Sequence, residues 1–116
     1  MARYNRPHFD SDGDNTAQAI KASQGELIYL HVTNSNTDEE YIQLFDSLAA
    51  DVTVGTTTPV LTFLVPAGSA AEPSAFEQFW GEHGIYFEKG ISYACTTTAT
   101  GNTDPTTGLV VNAVYG

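Results

Sequence analysis

The run Glu26-Leu-Ile-Tyr-Leu-His-Val-Thr-Asn34 is dense in β-branched and aromatic side chains. Gly25 precedes it and the polar turn Ser35-Asn-Thr-Asp-Glu-Glu40 follows it. Such a run specifies a strand. Strict alternation places Leu27, Tyr29, His31 and Thr33 on one face and Ile28, Leu30 and Val32 on the other. Shorter runs of the same kind recur along the chain: Thr16 to Ala22 (weakly), Tyr41 to Phe45, Pro59 to Val65, Ile85 to Glu88, Ile91 to Thr97 and Leu109 to Tyr115. Gly, Pro, Asn, Asp and Thr punctuate them, and Pro59 stands at a strand start, where no ladder donor is needed. One segment breaks the pattern. Ser74-Ala-Phe-Glu77 fits a helical capping box, and Phe76, Phe79 and Trp80 fall at helical spacing, which predicts one or two helical turns ended by Gly81 or Gly84. Those three aromatics are candidates for core packing or for an oligomer contact. The expected fold is all-β, an antiparallel β-sandwich or jelly-roll-like domain of two sheets with one short helix.

With 116 residues, 41% of them hydrophobic, the chain makes one domain with a real core. Residues 1–15, ending in Asp10-Ser-Asp-Gly-Asp-Asn15, read as an extended N-terminal arm, and 16–116 as the sandwich. Arg3, Tyr4, Arg6, His8 and Phe9 give that arm the residues to clasp a neighbour. The longest apolar stretch, Val60 to Val65, contains Thr62 and is too short to span a bilayer. No secretory signal is visible at the amino terminus, so a soluble protein made in a cytosol is expected. Fourteen acidic residues against four basic ones give a net charge of −10, which repels nucleic-acid backbones and anionic membranes. Neither is an expected partner.

No stretch spells out catalysis. Cys95 is the one cysteine, so an intramolecular disulfide is excluded, and its alternating apolar surroundings predict a buried, inert thiol. Asp10, Asp12 and Asp14 match the start of a calcium loop, but Asn15 stands where the glycine belongs and Lys21 where the glutamate belongs. A solvated turn is the expectation there. His8, His31 and His83 have no metal-ligand spacing; His31 reads as a packed histidine and His83 as a solvated one. Gly90-Ile-Ser92-Tyr-Ala94 begins like a nucleophile elbow, yet Ala94 replaces the second glycine and Ser92 sits mid-strand. Neither phosphate-cradling glycine motif occurs. No catalytic residue, metal or cofactor is expected.

Two stretches carry a resemblance. Tyr41-Ile-Gln-Leu-Phe-Asp46, then Val54-Gly-Thr-Thr-Thr-Pro-Val-Leu-Thr62 and Pro66-Ala-Gly68, resemble a family of small tailed-phage and prophage virion proteins. In that family a Y-x-x-L-[YF]-D strand precedes a P-T-x-G-T-x-x-P-x-x-T segment and a P-x-G turn. Gly84-Ile-Tyr-Phe-Glu-Lys-Gly-Ile-Ser-Tyr-Ala94, Thr96-Thr97 and Val110-Val-Asn-Ala-Val-Tyr115 are similar to its closing portion, so the match runs in order over most of residues 25 to 115. Asp51 departs from the proline ahead of T-x-G-T, and the segment from Phe76 to Trp80 is an elaboration.

The resemblance implies a non-enzymatic virion protein, in the favoured version a capsid decoration (cement) protein on the outer capsid surface. Its partner would be the major capsid protein, and a homotrimer is the assembly that family analogy suggests. The alternatives are a neck, tail or head-fibre component, or a carbohydrate-binding β-sandwich module using Trp80, the one tryptophan, as its platform.

Overall fold

The computed structural model describes residues 4–116. Arg3 therefore lies outside the described residues. Among the described residues nine strands form: β1 (Arg6–Gly13), β2 (Gln18–Lys21), β3 (Gly25–Asn34), β4 (Glu40–Asp46), β5 (Leu61–Val65), β6 (Ser74–Phe79), β7 (Ile85–Phe87), β8 (Ile91–Thr96) and β9 (Leu109–Tyr115). A single 3-10 turn, Ala49–Asp51, is the helical content of the described residues. One sheet has the order β1-β9-β3-β6, with β7 also pairing β3; the other runs β2-β8-β4-β5. All pairs are antiparallel. The expected β-sandwich is the observed fold.

The core lies between the sheets. Leu27, Leu30 and Val32 of β3 and Leu109, Val111 and Ala113 of β9 meet Ile42 and Leu44 of β4 and Ile91, Tyr93 and Cys95 of β8. Each large side chain buried this way contributes about 2 kcal/mol of hydrophobic free energy. The thiol of Cys95 is enclosed there, and burial pushes its pKa well above the ordinary range.

Alternation fails at one point of β3. Leu27 opposes Tyr115 and Tyr29 opposes Val114, so Ile28 is an extra residue in the pairing with β9. This bulge returns Leu27 to the core face with Leu30 and Val32. The expected grouping of Leu27 with Tyr29, His31 and Thr33 is corrected accordingly. His31 is half-buried on the outer face, not packed in the core.

The expected helix at Ser74–Trp80 is a strand. β6 pairs with β3 from Tyr29↔Phe79 to Asn34↔Ser74. Phe76 turns inward and stacks on Phe63 with ring centroids 4.6 Å apart, and Trp80 stands 5.9 Å from the same ring. A spacing of four residues keeps two side chains on one side of a helix and of a strand alike; Phe79, at the odd spacing, points out and is 62% exposed. Ser74 caps nothing, since its Oγ donates to the Ala67 carbonyl at 2.7 Å.

The expected arm is also corrected. Arg6–Gly13 pairs along the free side of β9, from Arg6↔Tyr115 to Gly13↔Leu109. Loops cover the outer face of the four-stranded sheet: Gln43 Nε2 donates to Thr96 Oγ1 at 2.7 Å and to the Gly101 carbonyl at 3.0 Å. Ser92 Oγ donates to the Ser47 carbonyl at 3.0 Å.

The Thr-rich stretch before β5 folds on itself, with the amides of Thr56 and Thr57 donating to the Thr53 carbonyl. Pro66-Ala-Gly68 then carries the chain from one sheet to the other. A Cβ on Gly68 would stand 2.5 Å from the Ser74 nitrogen and 2.6 Å from the Asn34 oxygen, so only glycine passes.

Candidate functional site

Loops shield the outside of the four-stranded sheet but leave the outside of the five-stranded one open. Its strand registers set two rows of side chains across four strands. Pro7, Val114, Tyr29 and Phe79 make one row; Phe9, Asn112, His31 and Glu77 make the next. Between them lies a shallow groove of about 480 Å³. Phe9, which lines the groove, and Phe79, just outside its lining, are opposite corners of these two rows, 65% and 62% exposed. Three strand spacings separate β1 from β6, roughly 14 Å.

The polar groups of the groove differ in how far they are satisfied. Tyr29 donates its hydroxyl to Glu77 Oε2 in a short hydrogen bond. That bond raises the phenol pKa above its ordinary value, with burial and the Glu77 charge adding to it. The side chains of His31 and Asn112 have no hydrogen-bond partner among the described residues. Imidazole and amide each offer both a donor and an acceptor. The groove thus presents aromatic walls, two unengaged polar side chains and one carboxylate.

The inner face of β1 has a separate task. Tyr93 donates its hydroxyl to Asp10 Oδ2 at 2.6 Å, which leaves its oxygen to accept from Nε2–H of His8 at 2.9 Å. The His8 and Tyr93 rings meet edge-on, 5.5 Å apart. Burial lowers the His8 pKa, and the Asp10 charge offsets this in part. Burial, followed by the bond to Asp10, pushes the Tyr93 phenol far up. These three side chains fasten β1 to the opposite sheet.

The expected site residues scatter. Tyr4 is 78% exposed, Arg6 and Phe9 are exposed, and His8 is turned inward. Phe76 and Trp80 pack toward the core, so of that trio only Phe79 remains at the surface. Trp80 is half-buried, with its ring 5.9 Å from that of Phe63.

The acidic run is divided among local tasks. Asp10 holds Tyr93, while Asp14 Oδ1 accepts from the Thr16 amide at 2.9 Å. Asn15 is tied to Asp104 and to the Asn102 carbonyl. Among the described residues no group of three or more His, Cys, Asp or Glu is placed to hold a metal. His83 is exposed in its turn beside Glu82, 3.7 Å away.

Tyr29, Asn112 and Val114 were not singled out by sequence, and Glu77 was read only as the closing residue of a helical capping box. Tyr29 and His31 share a face in the alternation, but Leu27 appeared to share it too and marked it as core. No protein-family model, curated protein or solved structure matches the chain.

Proposed function

We propose that this chain is a non-enzymatic virion structural protein, a capsid decoration protein bound to the outer surface of the shell and stabilising it. The observation that carries this reading is the outer edge of β1. Among the described residues β1 is the terminal strand of its sheet, pairing β9 on one side only. Along or just ahead of it stand the exposed residues Tyr4, Arg6 and Phe9. Arg3 and Arg6 are two of only four basic residues in a chain of net charge −10. An open strand edge with aromatic and cationic side chains suits docking by strand addition or on an acidic neighbour. The acidic remainder suits the exterior of a shell rather than its DNA-facing inside.

The sequence resemblance to small virion proteins supplies the biological setting, the major capsid protein as partner and the homotrimer as assembly. A small rigid domain repeated many times around a shell stabilises it through many weak contacts. No contact with nucleic acid or membrane belongs to this role.

Copy number in purified particles, measured by quantitative mass spectrometry against the major capsid protein, tests the reading. A ratio near that of the capsid protein is expected. A few copies per particle would place the chain in a neck, tail or head fibre, and complete absence would sink the virion role. In the same particles, Tyr4→Ser combined with Arg6→Glu should weaken capsid association about tenfold or more without altering the fold.

A further inference from the structure

The groove on the five-stranded sheet is not needed for docking through the β1 edge, and its chemistry is different. We propose that it is a binding site for a neutral oligosaccharide lying across the strands from Phe9 to Phe79. This inference does not rest on the virion reading, because it concerns the isolated domain.

A sugar ring has two kinds of surface. Its C–H faces are apolar and pack on aromatic rings; its hydroxyls each donate and accept. The groove offers both counterparts. Phe9 lines one end, and Phe79 stands just beyond the lining at the other, cross-strand from Tyr29; both are exposed and make no ring contact among the described residues. Between them His31 and Asn112 stand unengaged, each able to give and take a hydrogen bond, and Glu77 adds acceptors beside the Tyr29 hydroxyl. A mostly apolar concavity with a few convergent polar groups is the usual form of a small-molecule site. Its length, roughly 14 Å between the outer strands, suits more than one ring.

Other occupants fit less well. The net charge of −10 repels sulfated or acidic glycans and nucleic acids. A flat apolar partner, or a second copy seated face to face, would bury His31, Asn112 and the Glu77 carboxylate without supplying the matching hydroxyls, which is costly. A peptide adding as a strand would pair along the outer edge of β1 or β6, beside the groove and not across the sheet face that forms it.

The test uses the full chain, titrated with soluble neutral oligosaccharides of glucose, mannose, galactose and N-acetylglucosamine, and follows backbone amide resonances by NMR. At least one sugar should shift the amides of residues 29–31 and 112–114 with micromolar to millimolar affinity, and its sulfated form should not. Phe79→Ala and His31→Ala should each weaken binding about tenfold at an unchanged melting temperature. Tyr4→Ser with Arg6→Glu should leave it intact, so this site and the capsid-docking edge fail separately. No shift with any sugar, shifts elsewhere on the domain, or full affinity in both groove variants would overturn the proposal. So would a Phe79→Ala variant whose only change is a smaller sedimenting species, since the face would then join copies of the chain.

Discussion

The carboxylate of Glu40, on the inner face of β4, is 2% exposed, and its Oε2 has no hydrogen-bond partner among the described residues. Burial raises its pKa, and the negative charges of Asp38 and Asp104 raise it further. The folded state therefore holds this proton more tightly than the unfolded chain does. Stability from this group is present at acid pH and declines as pH rises from the ordinary glutamate range through the raised one. Glu40→Gln removes the charge while keeping the shape. It should be more stable than the parent by about 1 kcal/mol at neutral pH. That gap should close in acid, where the parent carboxyl is protonated in both states. Urea unfolding of both proteins across pH checks this, and a gap independent of pH would show that packing, not charge, separates them. At this scale the sequence was partly readable. The alternation around Cys95 was enough to expect a buried thiol, because β8 obeys it on both sides. Nothing local marked Glu40 as buried, since it closes the acidic run Asp38-Glu39-Glu40, which reads as solvated.

At the scale of elements, β1 is the part whose role changed most between sequence and structure. A dispensable arm could be removed at little cost. A strand that hydrogen-bonds along β9, places Gly13 against Cys95 and Val111, and holds Tyr93 through His8 and Asp10 cannot be. Deleting residues 2–14 should lower the melting temperature by more than about 10 °C or abolish cooperative unfolding, as followed by circular dichroism. A deletion variant that melts like the parent would return the segment to the status of an arm. The runs that became β3, β4, β8 and β9 were legible because each is long, apolar on one face and clearly bounded. Two others were not. The segment that became β6 has both helical and strand features in its aromatics, and the open edge of β3 decided between them. The bulge at Ile28 exists only relative to β9, so no reading of β3 alone could find it. With it hidden, the groove was hidden as well: His31 was counted with Leu27, and its true neighbours Glu77 and Asn112 come from strands far away in sequence.

At the scale of the whole molecule, charge separates the two kinds of association proposed for this chain. Each copy carries −10 at neutral pH, so any homotrimer forms against the repulsion of its members. Salt screens that repulsion over about 8–10 Å at ordinary ionic strength. Trimerisation, followed by analytical ultracentrifugation, should therefore strengthen as salt is raised. It should also strengthen as pH falls into the carboxylate range and the net charge shrinks. Docking through the Arg6 edge follows the opposite rule where its local attraction to an acidic patch outweighs the repulsion from the rest of the −10 chain, because screening weakens attraction between unlike charges. Binding to capsids should loosen in high salt, and Arg6→Glu should flatten or reverse that dependence. A trimer that dissociates in high salt would mean its interface is built from complementary charges. Such pairs would have to draw on Lys21, Lys89 or the arginines near the amino terminus, the only basic residues the chain has. The sign of the salt effect thus tells which surface joins copies and which meets the shell.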